Sequence, residues 1–186
     1  MKENKTNHIN YKDIFIIISN KGGVGKTNSS IQVIAPSLYL NNPDKKIHVW
    51  EIDNNNNTKK HISSKYIQYE SMKLSKSEMA INDIEFSNLT DPNTVHVVDS
   101  GGSDDSKKIL AHLKQVNLIG LQYIIPTNED MEQIDNITEI IEIIRQQDKF
   151  AKIYLLLNRC ISLKEDEIRK QFINVFGSKD LGIRSQ

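Results

Sequence analysis

The sequence predicts an α/β fold in three layers, with a mainly parallel central sheet flanked by helices. Three observations carry that expectation. Short apolar runs recur along the chain, a longer polar or amphipathic stretch follows each of them, and a glycine-rich turn joins the first run to the first of those stretches.

The elements are expected in this order. Ile14–Ser19, the run IFIIIS, reads as the first strand, and Lys26–Leu40 as the helix after the glycine-rich turn. The stretch NNPDK at Asn41–Lys45 is turn chemistry set just before a second strand, Ile47–Ile52. Lys59–Thr90 is polar, rich in serine and lysine and only weakly periodic; a helix over Ser77–Ile84 is the one element it offers. DPN at Asp91–Asn93 is a second turn, placed before a strand at Val95–Asp99 and a helix at Asp104–Gln115. Leu118–Ile125 is the fourth expected strand, with Pro126 after it read as a turn residue. The clearest helix is Glu129–Gln147, where Ile134, Ile137, Ile140, Ile141 and Ile144 fall three and four apart and so make one apolar face. Ile153–Leu157 is the fifth strand, Lys164–Phe176 a helix, and Leu181–Arg184 a candidate last strand.

At 186 residues the chain is expected to form one domain over 1–186, with residues 1–12 as a flexible tail. Lys+Arg and Asp+Glu are both 24, so net charge gives no bulk argument for nucleic acid or a membrane surface. Cys160 is the single cysteine, which excludes an intrachain disulfide and fits a reducing compartment. No apolar run approaches the roughly 20 residues of a membrane span, and the polar start does not resemble a signal peptide. A cytoplasmic protein is expected.

The stretch SNKGGVGKTNSS, Ser19–Ser30, carries the chemistry. A glycine-rich turn between a buried strand and a helix points several backbone N–H groups at one place, and the helix N-terminus adds its positive end. Here the backbone of Gly22, Gly23, Val24 and Gly25 is expected to approach a phosphate, Lys26 to supply a point charge, and the Thr27 hydroxyl to reach Mg2+. The literal pattern G-x-x-x-x-G-K-[ST] is not met, since Asn20 stands at its first glycine.

What stands instead, K-G-G-x-G-K-T, resembles the deviant phosphate loop of the ParA/MinD family of ATPases. The resemblance implies a three-layer P-loop NTPase fold binding ATP and Mg2+. It also implies a role for the second lysine: Lys21 of each subunit would reach the nucleotide held by the other in an ATP-bound homodimer. The alternative is a lysine lying in solvent beside the loop.

Two further segments extend the likeness. VHVVDSGG ends a strand on Asp99 and resembles a Walker B strand with its switch, which implies Asp99 as a Mg2+ ligand and Gly101 and Gly102 as backbone sensors of the γ-phosphate. IHVWEIDNNNNT resembles the family's first switch, D-x-D-P-Q; Asp53 matches its second aspartate and would orient the lytic water, while Glu51, Asn54 and Asn55 depart from it. Asn28 departs too, standing where the family has a second threonine, but its amide can still donate to an α-phosphate. Asn158, closing LLLN, would contact adenine or else cap a turn. Asp53 and Asp99 have the same plain alternative, a carboxylate capping a strand end.

The resemblance covers Asp13 to about Asn158. It implies an ATP-dependent dimerising ATPase of plasmid or chromosome partition, with slow hydrolysis stimulated by a centromere-binding adaptor and with nonspecific DNA as a second partner. Lys164, Arg169 and Lys170 are the candidate phosphate contacts, or simply a solvated face. A nucleotide-switched accessory protein of conjugation or plasmid maintenance, hydrolysing weakly, is the second reading, favoured by the altered first switch. A small kinase or amidoligase is the third. GSKDLGIRSQ offers no apolar face for a membrane helix, so no membrane partner is expected.

Overall fold

Strands β1 (Ile14–Ile17), β2 (Lys46–Ile52), β3 (Ile67–Met72), β4 (Thr94–Ser100), β5 (Gln122–Thr127) and β6 (Lys152–Leu157) form one sheet in the order β3-β2-β4-β1-β5-β6. Every pairing is parallel. This is a computed structural model, and it describes residues 11–54 and 64–177. Asn55, most of the expected tail and the expected strand at Leu181–Arg184 lie outside those residues.

The helices are α1 (Lys26–Ser29), α2 (Ala35–Asn41), α3 (Ser77–Thr90), α4 (Ser103–Gln115), α5 (Met131–Gln147), α6 (Glu165–Gln171) and α7 (Ile173–Phe176). The predicted helix Lys26–Leu40 is therefore divided. A π-helical segment, Ser30–Ile34, separates α1 from α2, and Pro36 stands in the first turn of α2. A proline has no N–H and its ring crowds the carbonyl four residues back, so the helix widens for a turn and restarts with the proline where it is tolerated.

Strand periodicity assigns the two layers. Ile47, Val49, Val95, Val97, Ile17 and Ile124 pack on one face against Ile34 and Ala35. Ile14, Ile16, Trp50, Ile52, Val98 and Tyr123 face the other way, onto Ile81 and Ile84 of α3, Ile109 and Leu110 of α4, and Ile140 and Ile144 of α5. Both faces of β1 and β4 are thus covered, which is why β1 is apolar throughout and β4 carries three valines. Phe172 and Val175 add a small cluster against β6.

Four expectations are corrected. The strand expected at Leu118–Ile125 begins only at Gln122, because Asn117 and Gly120 take positive φ of 56° and 76° and turn the chain. Pro126 lies within β5 rather than in a turn. Ile18 N donates to Ile124 O, and the next bond of that ladder would need an N–H on Pro126, so the β1–β5 pairing ends there while Pro126 continues the strand beside Leu156 of β6. Tyr11 is buried in the core, so the expected tail does not extend to residue 12. Strand β3 was not foreseen: QYESM is polar because this edge strand is only partly buried.

Candidate functional site

In an all-parallel sheet the strands point one way, so the turns leaving β1, β2, β4 and β6 gather along one edge. There they enclose a groove of about 670 Å3 lined by Gly22, Gly25, Lys26, Thr27, Asn28, Asp53, Ser100, Gly101, Gly102, Asn158 and Arg159, among others. Most of the expected site residues are therefore brought together in space, although they run from Gly22 to Asn158 in sequence.

The turn is built on two glycines whose conformation other residues resist: Gly23 and Gly25 have φ of 74° and 86°. A Cβ on Gly25 would also come within 2.5 Å of Asn158 Nδ2. Gly25 precedes α1, and its carbonyl accepts from Ser29 N at 2.8 Å. Val24 is buried and holds the middle of the turn down. Lys26, 8% exposed, curls back to donate from Nζ to Lys21 O at 3.0 Å. Burial lowers its pKa, against the pull of Asp99, Asp53 and Asp105. A cation held beneath a glycine turn at the start of a helix is placed to meet a polyanion.

Beneath the turn lies Asp99, 1% exposed. Burial pushes its carboxyl up to about 7, against hydrogen bonds donated by the Thr27 and Ser30 hydroxyls and with the charge of Glu51 adding to the rise. Ser30 Oγ is 3.0 Å from Asp99 Oδ2 and 2.8 Å from Thr27 O. Asp99 Oδ1 is buried with no hydrogen-bond partner. Glu51, also 1% exposed, stands directly opposite Asp99 in the β2–β4 register.

Two buried carboxylates side by side, one with an orphaned oxygen, beside a threonine hydroxyl, make a donor set that suits a hard divalent cation. Thr27 and Asp99, the expected metal ligands, are the residues that would hold Mg2+, with Glu51 next to them. Among the described residues no group of three or more His, Cys, Asp or Glu side chains converges as a self-sufficient metal cage. Mg2+ commonly keeps waters and shares its shell with substrate phosphates, so two carboxylates suffice.

Asp53 follows β2 and faces the groove, with its N–H donated to Met72 O at 3.1 Å. Gly101 is wedged between carboxylates. A Cβ there would collide with Asp105 Oδ2 and come within 3.0 Å of Asp53 Cγ, so the backbone passes where no side chain fits. Ser100 Oγ donates to Ile17 O and Ser106 Oγ to Ser19 O, tying the turn after β4 to the base of the glycine turn.

Asn158 holds the turn from the other side. Its Nδ2 donates to Val24 O at 2.9 Å, and its Oδ1 accepts from Arg159 N. Both ends of the amide are therefore engaged with backbone, and Asn158 joins the end of β6 to the glycine turn. Lys21 lies at the rim with Nζ 3.2 Å from Asp130 Oδ2 of its own chain. Asn28 is exposed and lines the groove.

Several neighbours were not singled out from sequence: Arg159, whose Nη2 donates to Gly23 O, and Ser30, Asp105, Ser106 and Asp130. Arg159 was the most findable, since NR directly follows a strand end. The basic candidates on α6 do not form a cationic strip. Lys164, at the N-cap of α6, pairs with Glu167, and Arg169 pairs with Glu165, three and four residues away. Among the described residues no helix is long and apolar enough to cross a membrane.

No family model and no curated protein sequence matches the chain. Solved structures do match in fold. The MinD cell division protein of Aquifex aeolicus is 17% identical, over 86% of this chain and 78% of that one, with a TM-score of 0.54. Cobyrinic acid a,c-diamide synthase from Mycobacterium smegmatis, with bound ATP analogue and magnesium, is 11% identical over 88% and 81%, with a TM-score of 0.63. A plasmid partition protein from Borrelia burgdorferi B31 bound to AMPPNP is 17% identical over 94% and 91%, with a TM-score of 0.57. At these identities the likeness shows a shared fold: the six-stranded parallel sheet with flanking helices is that of P-loop NTPases, as expected from the sequence.

Proposed function

We propose that the chain binds ATP with Mg2+ and works as an ATP-dependent dimerising ATPase of the partition type, hydrolysing slowly until a centromere-binding adaptor stimulates it. One observation carries the reading: Lys26, Thr27 and Asp99 meet under a glycine turn whose rim bears a second lysine, Lys21. The named nucleotide and magnesium complexes and the partition protein among the structural neighbours support it.

In this reading the backbone of the turn and Lys26 bind and orient the phosphates, and the α1 N-terminus adds its dipole. A bound Mg2+ would supply charge neutralisation at the phosphate oxygens. Asp53 orients water at the open side of the groove, Gly101 lets the backbone approach, and Asn158 keeps the turn in shape. Lys21 leaves Asp130 to reach a nucleotide held by the second subunit, which couples nucleotide state to assembly.

The accessory reading, a nucleotide switch that hydrolyses weakly, has its own support in Glu51, buried beside Asp99 where the family's switch has an aspartate. The same experiment separates the two. Dimerisation and DNA binding are measured with ADP, ATP and a slowly hydrolysed analogue, for the wild type and Lys21→Ala. ATP-dependent dimers that bind DNA irrespective of sequence are expected, and dimers indifferent to DNA favour the accessory role. If Lys21→Ala changes neither dimerisation nor hydrolysis, the two-chain nucleotide site is wrong.

A further inference from the structure

Helix α3 is apolar on two sides. Ala80, Ile81 and Ile84 are buried against the sheet, as a surface helix requires. On the opposite side Met79, Phe86 and Leu89 are 47%, 69% and 52% exposed. At 100° per residue Phe86 points almost directly away from the buried side, and Met79 and Leu89 flank it in a stripe about 15 Å long. Single exposed apolar residues are ordinary, but three in register on one helix are a ridge of the kind that helices pack against.

The charges around the ridge are one-sided. Glu78, Asp83 and Glu85 lie along it, and Ser77–Thr90 contains no Lys or Arg. None of these three carboxylates has an ion-pair partner among the described residues. The short helix α6 is different: its acids Glu165 and Glu167 are matched by Arg169 and Lys164. Lys73 and Lys76 reverse the sign only beyond the N-terminal end of α3, where with Met79 they line a groove of about 460 Å3 against β3.

We propose that the outer face of α3 docks a basic amphipathic helix of a partner protein. The partner's apolar residues, spaced three and four apart, would cover Met79, Phe86 and Leu89, and its Lys and Arg side chains would lie opposite Glu78, Asp83 and Glu85. The unmatched carboxylates repel nucleic acid and anionic lipid, so a polycationic peptide segment is the occupant that the charge selects. The site shares no residue with the nucleotide groove and needs no nucleotide, so it stands or falls apart from the ATPase reading.

The test uses a fluorescein-labelled peptide of leucine and lysine at helical spacing, about 18 residues or five turns long, and a leucine–glutamate counterpart. Binding is read by anisotropy on the full chain, and its location by amide chemical shifts. The lysine peptide is expected to bind saturably with shifts centred on α3 and to prefer the wild type over Phe86→Ser by about tenfold or more. The triple variant Glu78→Lys, Asp83→Lys, Glu85→Lys should reverse the preference between the two peptides. Glu78, Asp83 and Phe86 are exposed and Glu85 is half-buried, and circular dichroism checks that the variants fold. The proposal is overturned by absence of saturable binding, by equal affinity for Phe86→Ser, by shifts centred elsewhere, or by Phe86-dependent self-association without peptide, which would make the face a contact between copies.

Discussion

Replacing Asp99 by asparagine should stabilise the protein while removing its response to Mg2+ and nucleotide. The carboxyl of Asp99 is raised from the ordinary 3.8 to about 7, with burial as the largest cause. For an acid whose folded pKa lies above its unfolded value, the unfolded state loses its proton first as pH rises. Stability therefore falls between about pH 4 and 7, and the whole cost is present above pH 7. A gap from 3.8 to about 7 is worth on the order of 4 kcal/mol at pH 8 and under about 1 kcal/mol at pH 4. An asparagine keeps an oxygen that can accept from Ser30 and Thr27 and carries no charge to bury. Urea unfolding followed by the fluorescence of Trp50, the only tryptophan, measures it. Asp99→Asn should exceed the wild type by a few kcal/mol at pH 8, and the difference should shrink as pH falls. Mg2+ with ATP should raise the wild-type midpoint and leave the variant's in place. Equal stability of the two proteins at pH 8, or a less stable variant, would refute the view that the cation site stores an electrostatic cost.

Two other outcomes are expected. Gly25→Ala forces a side chain into the left-handed region at φ 86° and into Asn158, so it should cost about 1–2 kcal/mol of stability and abolish nucleotide binding, read by urea midpoint and by titration with a fluorescent ATP analogue. His48 and His96, register partners in β2 and β4, are both held down to about 4 by burial, with Trp50 Nε1 donating to His96 Nδ1. Their folded pKa values lie below the unfolded one, so their contribution is full above about pH 6.5 and is lost as pH falls toward 4. Each should subtract about 2 kcal/mol between pH 7 and 5, and His96→Gln, which keeps an acceptor for Trp50, should flatten that slope by about half. An unchanged acid slope in His96→Gln would contradict the assignment.

The central part of the fold was legible because its signals are local. β1, β2 and β4 are buried on both faces and so carry dense apolar runs, and α5 shows its face in the spacing of its isoleucines. The elements that escaped notice owe their form to neighbours. β3 is an edge strand with little need of apolar residues, and Pro126 stays in β5 by pairing with β6 where the ladder to β1 ends. The split of the first helix follows from one proline, whose effect is a π-helical turn rather than a simple end. The site divides in the same way. Gly23, Gly25, Lys26 and Thr27 are adjacent in sequence and their chemistry can be read there, whereas Arg159, Ser30 and Asp105 enter only through contacts across the sheet edge.

The sequence by itself determined a parallel α/β chain with a glycine-rich turn after its first strand, because strand, glycines, lysine, hydroxyl and helix follow one another along the backbone. Only the tertiary structure decided that Glu51 is buried against Asp99, that Asn158 donates its amide to the glycine turn, that Lys21 rests on Asp130, and that α3 turns Phe86 to solvent. Those facts depend on strand register and on which side of a helix the sheet occupies. Both are settled by packing among distant segments, and neither leaves a mark in the spacing of neighbouring residues.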